Sequence, residues 1–173
     1  GLKRGSYITL EKAIIAVAVK SANDAATVLA ESLGESEFDF ALRMTETARN
    51  LGMKNTRFRN ASGLPNRRQR STARDMALLS KALIEQFPQY YHYFSIPKFK
   101  WGKRTFYTHN KLLRKFRGMD GLKTGYIRAS GFNIATSAVK GNRRLIAVML
   151  GGRTAKTRDK KVAHLMNASF NRA

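Results

Sequence analysis

Two short polar motifs stand out because their side chains are of the types used in proton relay and anion binding. Ser21-Ala22-Asn23 supplies a hydroxyl and an amide, and Lys123-Thr124-Gly125 supplies an ammonium, a hydroxyl and a residue without a side chain. Such groups, held together, can move a proton and bind a charged substrate oxygen. Neither motif is specific alone, since Ser169-Phe170-Asn171 also fits S-x-N. Their order and their predicted setting therefore carry the argument.

The first half of the chain predicts helices that place the S-x-N motif at a helix junction. Thr9 can cap a helix from Leu10 to Val19, whose latter part is apolar on every side and is expected to be buried all round. A second helix is predicted from about Ala25 to Leu33. A third helix is predicted over about 36–51, and the segment 54–70 is predicted to be a surface loop. A fourth helix is predicted to begin at Thr72, with Asp75 in a capping box, and to end before Pro88.

The second half changes to the alternating pattern of strands. A hairpin is predicted over 99–107, strands over 120–127, 132–139 and 145–150, and a last helix over about 155–170. Helices followed by antiparallel strands with short turns indicate an α+β fold rather than a parallel βαβ sheet.

The two motifs resemble the S-x-N and K-T-G signatures of serine penicillin-recognising enzymes. The segments 71–77, 131–133 and 151–154 are similar to the D-alanyl-D-alanine carboxypeptidase family, and the likeness runs from about residue 6 to the end. It implies a β-lactamase/transpeptidase-like fold, incomplete at its N-terminus. We expect one partial catalytic domain over 1–173, mainly helical over about 6–90, with the sheet and C-terminal helix over about 94–173.

The resemblance implies catalytic roles for three residues. Ser21 would relay a proton by its hydroxyl, and Asn23 would hold the substrate's amide carbonyl and a catalytic lysine. Lys123 would supply positive potential beside the relay serine and the substrate carboxylate. The alternative is a purely structural role, in which Ser21 and Asn23 only cap the following helix.

It also implies four substrate-binding groups beyond Lys123. The Thr124 hydroxyl would reach the substrate carboxylate, and Gly125 would let the substrate lie against the strand edge as an added strand. The backbone N–H of Tyr126 would donate to the oxyanion, and Arg158 would bind the terminal carboxylate. Alternatively, Arg158 belongs to a solvated basic face with the lysines at 156, 160 and 161.

The S-x-x-K signature of the family, which carries the nucleophilic serine and the base lysine, is expected upstream of this chain. Two segments match it by letters but come after S-x-N. Ser137 and Lys140 lie three apart on a predicted strand and so point to opposite faces, while Pro97 disfavours a helical turn between Ser95 and Lys98. We read the start of the sequence as a cut, and we expect the fragment alone to be inactive.

Composition narrows the partners without naming them. The chain has 33 Lys and Arg against 11 Asp and Glu, a formal net charge of +22, which attracts polyanions. It has no cysteine, which excludes disulfides and thiolate chemistry. The apolar run 13–19 is too short to span a bilayer. His92, His109 and His164 show no metal-binding spacing, so we interpret them as neutral surface or core histidines and assign no metal and no cofactor.

The leading hypothesis is a serine carboxypeptidase that removes the terminal D-alanine from peptidoglycan stem peptides and is acylated by β-lactams. The family implies the periplasm or the outer face of the inner membrane, with an anionic cell-wall or membrane surface as a further candidate partner. The alternative is a non-catalytic basic module for anionic cell-wall polymer or nucleic acid, although no nucleic-acid motif accompanies the basic clusters. A β-lactamase shares both motifs, but segments 71–77 and 151–154 favour the carboxypeptidase.

Overall fold

A computed structural model describes residues 1–172 of the chain. The first half is helical, as predicted, but its helices include two irregular segments. The helices are α1 (Leu10–Ile15), which continues as a wider π-helical turn (Ala16–Lys20), α2 (Asn23–Leu33), α3 (Glu37–Asn50), α4 (Ala73–Gln86) and a 3₁₀ helix (Pro88–Ser95). The π-helical turn and the 3₁₀ helix were not predicted.

The second half forms the predicted hairpin and antiparallel sheet. Its elements are β1 (Lys98–Trp101), β2 (Arg104–Tyr107), α5 (Leu112–Lys115), β3 (Met119–Ile127), β4 (Gly131–Lys140), β5 (Arg143–Gly152) and α6 (Ala155–Asn171). The strands β1 and β2 pair with each other, and the sheet order is β3-β4-β5 with both pairings antiparallel. The α+β prediction is confirmed, and the short helix α5 was missed.

The three-stranded sheet has a hydrophobic core on each face. On one face, Ile134 and Ala138 of β4 pack with Val162 and Met166 of α6. On the other face, Ala135 packs with Leu122 and Tyr91 and with residues of α4. Successive β4 side chains alternate between the two cores because strand side chains point to opposite faces. The sheet is therefore the middle layer of three, and β3 is held from both sides.

The prediction that the latter part of the first helix is buried all round is wrong. Ala13, Ala16 and Val19 are buried, but the side chains of Ile14 and Val17 are only half-buried. Leu10 is exposed. The described residues cover one side of this helix and leave the other partly open. Within residues 1–172, no helix combines the length and apolarity needed to cross a bilayer.

The buried Asp75 carboxylate anchors the segment between α3 and α4 by hydrogen bonds. The Asp75 side chain accepts hydrogen bonds from the backbone N–H of Asn55 (2.9 Å) and the hydroxyl of Thr56 (2.7 Å). The predicted capping box is therefore only half formed. Thr72 accepts from the Asp75 N–H, but the Asp75 carboxylate turns to the loop. The complete capping box of the described residues lies at Thr154 and Thr157, at the start of α6.

Replacing Asp75 with alanine tests whether this carboxylate orders the segment. Asp75→Ala leaves the Asn55 N–H without its acceptor and leaves Ser71 Oγ (2.9 Å) as the remaining partner of the buried Thr56 hydroxyl. We therefore expect the free energy of unfolding to fall by about 2 kcal/mol. Urea denaturation measures it. The control is Glu85→Ala on the same helix, which removes an exposed ion pair with Lys81 and should cost about 0.5 kcal/mol or less. Equal losses in the two variants would contradict this role of Asp75.

Candidate active site

Ser21 ends the first helix in an unusual backbone conformation. Its φ of 57° and ψ of 45° lie in the left-handed region, which residues with a side chain adopt at a cost of about 1–2 kcal/mol. The Ser21 N–H donates to Val17 O (3.1 Å), and the next N–H, of Ala22, donates to Ala16 O (3.2 Å). These two bonds fix the backbone at Ser21 and Ala22, where the π-helical turn ends and α2 begins.

The helix-capping alternative for this motif is wrong. The N-cap of α2 is Ala22, and no side chain caps this helix end. Asn23 is the first residue of α2 and is exposed. The Ser21 side chain is directed instead to the sheet.

Lys123 lies in the middle of β3 and meets Ser21 across the domain. Its ammonium donates hydrogen bonds to Ser21 Oγ and to Thr124 O (2.7 Å). Burial lowers the pKa of Lys123 to about 8, because a charged ammonium loses its hydration there. Among residues 1–172 no carboxylate forms an ion pair with it. The two sequence motifs therefore form one site.

The residues after Lys123 lie along an open strand edge. Thr124 is buried, while Gly125 and Tyr126 are exposed. A Cβ atom added at Gly125 would meet no atom within 4 Å, so packing within the described chain does not require glycine there. In residues 1–172, β3 pairs only with β4, which leaves its other edge free. The Tyr126 ring packs against Phe132, with centroids 4.4 Å apart.

Arg158 is buried rather than part of a solvated basic face, so that alternative is wrong. Its side chain is 3% exposed. Its guanidinium donates to the Asp159 carboxylate (3.0 and 2.7 Å) and to Asn133 O (3.1 Å). Asn133 is the register partner of Gly125, so the guanidinium lies close to the K-T-G strand. These bonds use three of the five N–H donors of arginine.

Glycine at 152 lets α6 bring Arg158 this close to the sheet. A Cβ there would lie 2.9 Å from Arg158 Cβ and 2.9 Å from Phe132 O, closer than packed atoms tolerate. The glycine-containing segment 151–154 thus has a packing role that the sequence alone did not show.

His109 is exposed, which agrees with the expectation of a surface or core histidine. Desolvation and the nearby charges of Lys20, Lys123 and Arg158 lower its pKa. The sequence did not show that these charges lie near His109, because the four residues are far apart along the chain.

Neither S-x-x-K match places a serine and a lysine together on a helix. Ser95 ends the 3₁₀ helix, and its hydroxyl donates to Asp120 O. Ser137 is fully buried in β4 and accepts a hydrogen bond from Arg144 (2.7 Å), whereas the Lys140 ammonium lies 4.8 Å from the Phe116 ring centroid. Both matches fail for the geometric reasons expected. No group of three His, Asp or Glu side chains in residues 1–172 is arranged to hold a metal ion.

The chain is similar to known proteins over nearly its whole length. It is 37% identical to D-alanyl-D-alanine carboxypeptidase DacD of Escherichia coli over 95% of this chain and 43% of that protein. It is 33% identical to D-alanyl-D-alanine carboxypeptidase DacF of Bacillus subtilis over 98% of this chain and 45% of that protein. The fold matches penicillin-binding protein 5 from Haemophilus influenzae with a TM-score of 0.95 and 32% identity, over 98% of this chain and 50% of that one.

The chain spans less than half the length of the two carboxypeptidases. A family profile described as D-alanyl-D-alanine carboxypeptidase matches residues 1–154, which include the Ser21, Asn23 and Lys123 positions. With the two motifs joined in one site and the family profile covering most of the sequence, this chain belongs to the D-alanyl-D-alanine carboxypeptidase family.

Proposed function

We propose that the protein is a penicillin-binding serine carboxypeptidase that removes the terminal D-alanine from peptidoglycan stem peptides. The observation that carries the proposal is the hydrogen bond from the Lys123 ammonium to Ser21 Oγ. It joins two motifs that the sequence separates by most of the chain. Family membership supplies the reaction class.

The nucleophilic serine and its base lysine come from a part of the protein outside residues 1–173. That serine attacks the carbonyl of the scissile peptide bond and forms an acyl-enzyme, and its proton passes to the lysine. The leaving D-alanine amine takes a proton through Ser21. Water then hydrolyses the acyl-enzyme and restores the serine.

The geometry at Ser21 suits this relay. A serine hydroxyl has one proton to donate and two lone pairs to accept with. Since Lys123 donates to Ser21 Oγ, the hydroxyl proton of Ser21 is free to point to the leaving amine. The positive charge of Lys123 also makes the relay oxygen a better proton donor. Asn23, exposed beside it, would hold the substrate amide carbonyl and the base lysine.

The free edge of β3 would bind the substrate backbone as an added strand. The open space at Gly125 supports this role, because a side chain there would project toward the substrate rather than into the protein. The Thr124 hydroxyl and the Tyr126 N–H would bind the carboxylate and the oxyanion. The terminal carboxylate would take the two N–H groups that Arg158 leaves unused.

β-Lactams would enter the same site, acylate the same serine and present their carboxylate to Lys123. We place the protein on the outer side of the cytoplasmic membrane, where its peptidoglycan substrate lies. The net charge of +22 would draw it to an anionic wall or membrane surface. A basic module without catalysis has weaker support, since positive charge alone does not require a half-buried Ser–Lys contact.

Labelling with a fluorescent penicillin tests the proposed activity. The complete protein should form a covalent band on denaturing electrophoresis. Ser21→Ala and Lys123→Ala should lower its rate of formation by about 100-fold or more, because each removes a group that the transition state needs.

The matched control for Ser21→Ala is Ser169→Ala. Ser169 fits S-x-N by letters but lies on α6. This control should label like the unchanged protein. Absence of label on the complete protein would overturn the carboxypeptidase proposal. Labelling of a fragment of residues 1–173 would overturn the proposal that the nucleophilic serine lies outside these residues.

The rate of penicillin acylation should depend on pH through Lys123. With a pKa of about 8, Lys123 is charged below that pH and loses its proton as the pH rises through it. The β-lactam carboxylate needs the charged form, so the acylation rate constant should fall above about pH 8. Stopped-flow measurement from about pH 6.5 to about pH 10, with circular dichroism to verify folding, gives the profile. A rate that is flat or rises across that range would contradict this role.

Arg158→Lys tests the carboxylate role of the buried arginine. Lysine keeps the charge but lacks the planar fork of donors, so we expect the acylation efficiency to fall by about 10–100-fold. The loss should appear in the affinity step rather than in the limiting acylation rate. Lys160→Ala, on the exposed face of α6, is the control and should have no effect. A loss confined to the limiting rate would contradict carboxylate binding.

A further inference from the structure

A groove rich in arginine lies on the helical part of the domain, away from the Ser21–Lys123 pair. It has a volume of about 340 Å³. Its walls are one face of α3 and the extended segment that follows Met53. The lining residues are Leu42, Arg43, Thr45, Glu46, Arg49, Arg57 and Arg59. None of them takes part in the carboxypeptidase site described above.

The groove is held in shape by hydrogen bonds of the Thr45 hydroxyl. The Phe58 N–H donates to Thr45 Oγ1 (2.9 Å), and this hydroxyl donates to Ala41 O (2.9 Å) inside α3. Phe58 itself lines a separate apolar groove. Since alternate residues of an extended segment share a side, Arg57 and Arg59 both face the arginine groove.

Two further contacts fix the backbone of this segment. Arg57 pairs with Arg70 through two backbone hydrogen bonds of 2.8 and 3.0 Å. The Arg59 N–H donates to Gln69 Oε1 (2.8 Å). The arginine side chains therefore start from fixed positions, which lowers the entropy cost of binding a ligand with several of them.

The charge of the groove is not balanced by the protein. Four arginines line the groove with one glutamate, and within residues 1–172 none of these arginines forms an ion pair. The Arg43 guanidinium donates a hydrogen bond to Leu33 O, a neutral acceptor. The Nε atom of Arg59 is shielded from solvent and has no hydrogen-bond partner among the described residues. Burial and the charges of Arg57 and Arg68 lower the pKa of Arg59. An anion in the groove would relieve this repulsion and supply acceptors.

The shape of the cluster favours a phosphate over a carboxylate. A carboxylate offers two oxygens in one plane and a single charge. A phosphate ester has oxygens in several directions and, as a monoester, carries up to two charges. Guanidinium groups from α3 and from the Arg57–Arg59 segment approach from two walls, and each can donate two parallel N–H bonds to phosphate oxygens.

We propose that this groove, bounded by Arg43, Arg49, Arg57 and Arg59, is a binding site for a phosphate ester group. The source of that group is either a phospholipid headgroup or a soluble phosphate ester. In either case the site binds the protein to a phosphorylated component of its surroundings and leaves the β3 edge open.

The test compares two double variants that remove the same charge. Arg57→Gln with Arg59→Gln removes both positive charges from one wall of the groove. Arg67→Gln with Arg74→Gln removes two exposed arginines outside it. Calorimetry with sn-glycerol 3-phosphate should show a loss of affinity of about tenfold or more for the groove variant only. Malonate at the same ionic strength should bind the unchanged protein more weakly.

Equal effects of the two double variants, or equal affinity for malonate, would overturn the proposal. If the groove variant also loses thermal stability, Arg49→Gln, at an exposed position of α3, repeats the test. Sedimentation with phosphatidylglycerol vesicles separates the two sources. Loss of vesicle binding in the groove variant alone identifies a lipid headgroup, and equal vesicle binding by both variants identifies a soluble phosphate ester.

Discussion

The contact between the Lys123 ammonium and Ser21 Oγ requires the helical part and the sheet to stay in one fixed arrangement. The half-buried ammonium of Lys123 loses part of its hydration, and its acceptors are one hydroxyl and one carbonyl oxygen rather than a carboxylate. Burial lowers its pKa to about 8. A lysine in this state has a positive charge that is weakly compensated by the protein. The packing of the helical part against the sheet keeps the Lys123 ammonium in this environment.

Several features of the fold hold this contact in position. The sheet is packed on both faces, so β3 cannot shift toward either side. The π-helical turn and the left-handed backbone of Ser21 direct its side chain out of the helix. A residue held in a strained conformation at a site is expected where the surrounding structure fixes it. Behind the strand, the close approach of α6 at Gly152 places Arg158 beneath the K-T-G segment.

The large positive charge of the chain is organised in two different ways. At the candidate active site, the half-buried Lys123 and the buried Arg158 both have hydrogen-bond partners, and their charges help to lower the pKa of the exposed His109. In the arginine groove, the charged groups face an open volume with little compensation from the protein. Long-range attraction of anions follows from the total charge of +22, whereas selectivity depends on how each cluster presents its donors.

The sequence by itself determined the α+β class, the main helices and strands, and the identity of the S-x-N and K-T-G motifs. These depend on local periodicity and on residue type, which a chain carries without folding. It also excluded the two S-x-x-K matches, because helix and strand geometry are local. It failed where distant segments decide the outcome. The half-open α1, the Asp75 carboxylate that turns to the loop and the burial of Arg158 all arise from contacts between residues far apart in sequence. Only the tertiary structure could bring Lys123 to Ser21, since packing of the helical part against the sheet, rather than any local preference, places the two side chains within hydrogen-bond reach.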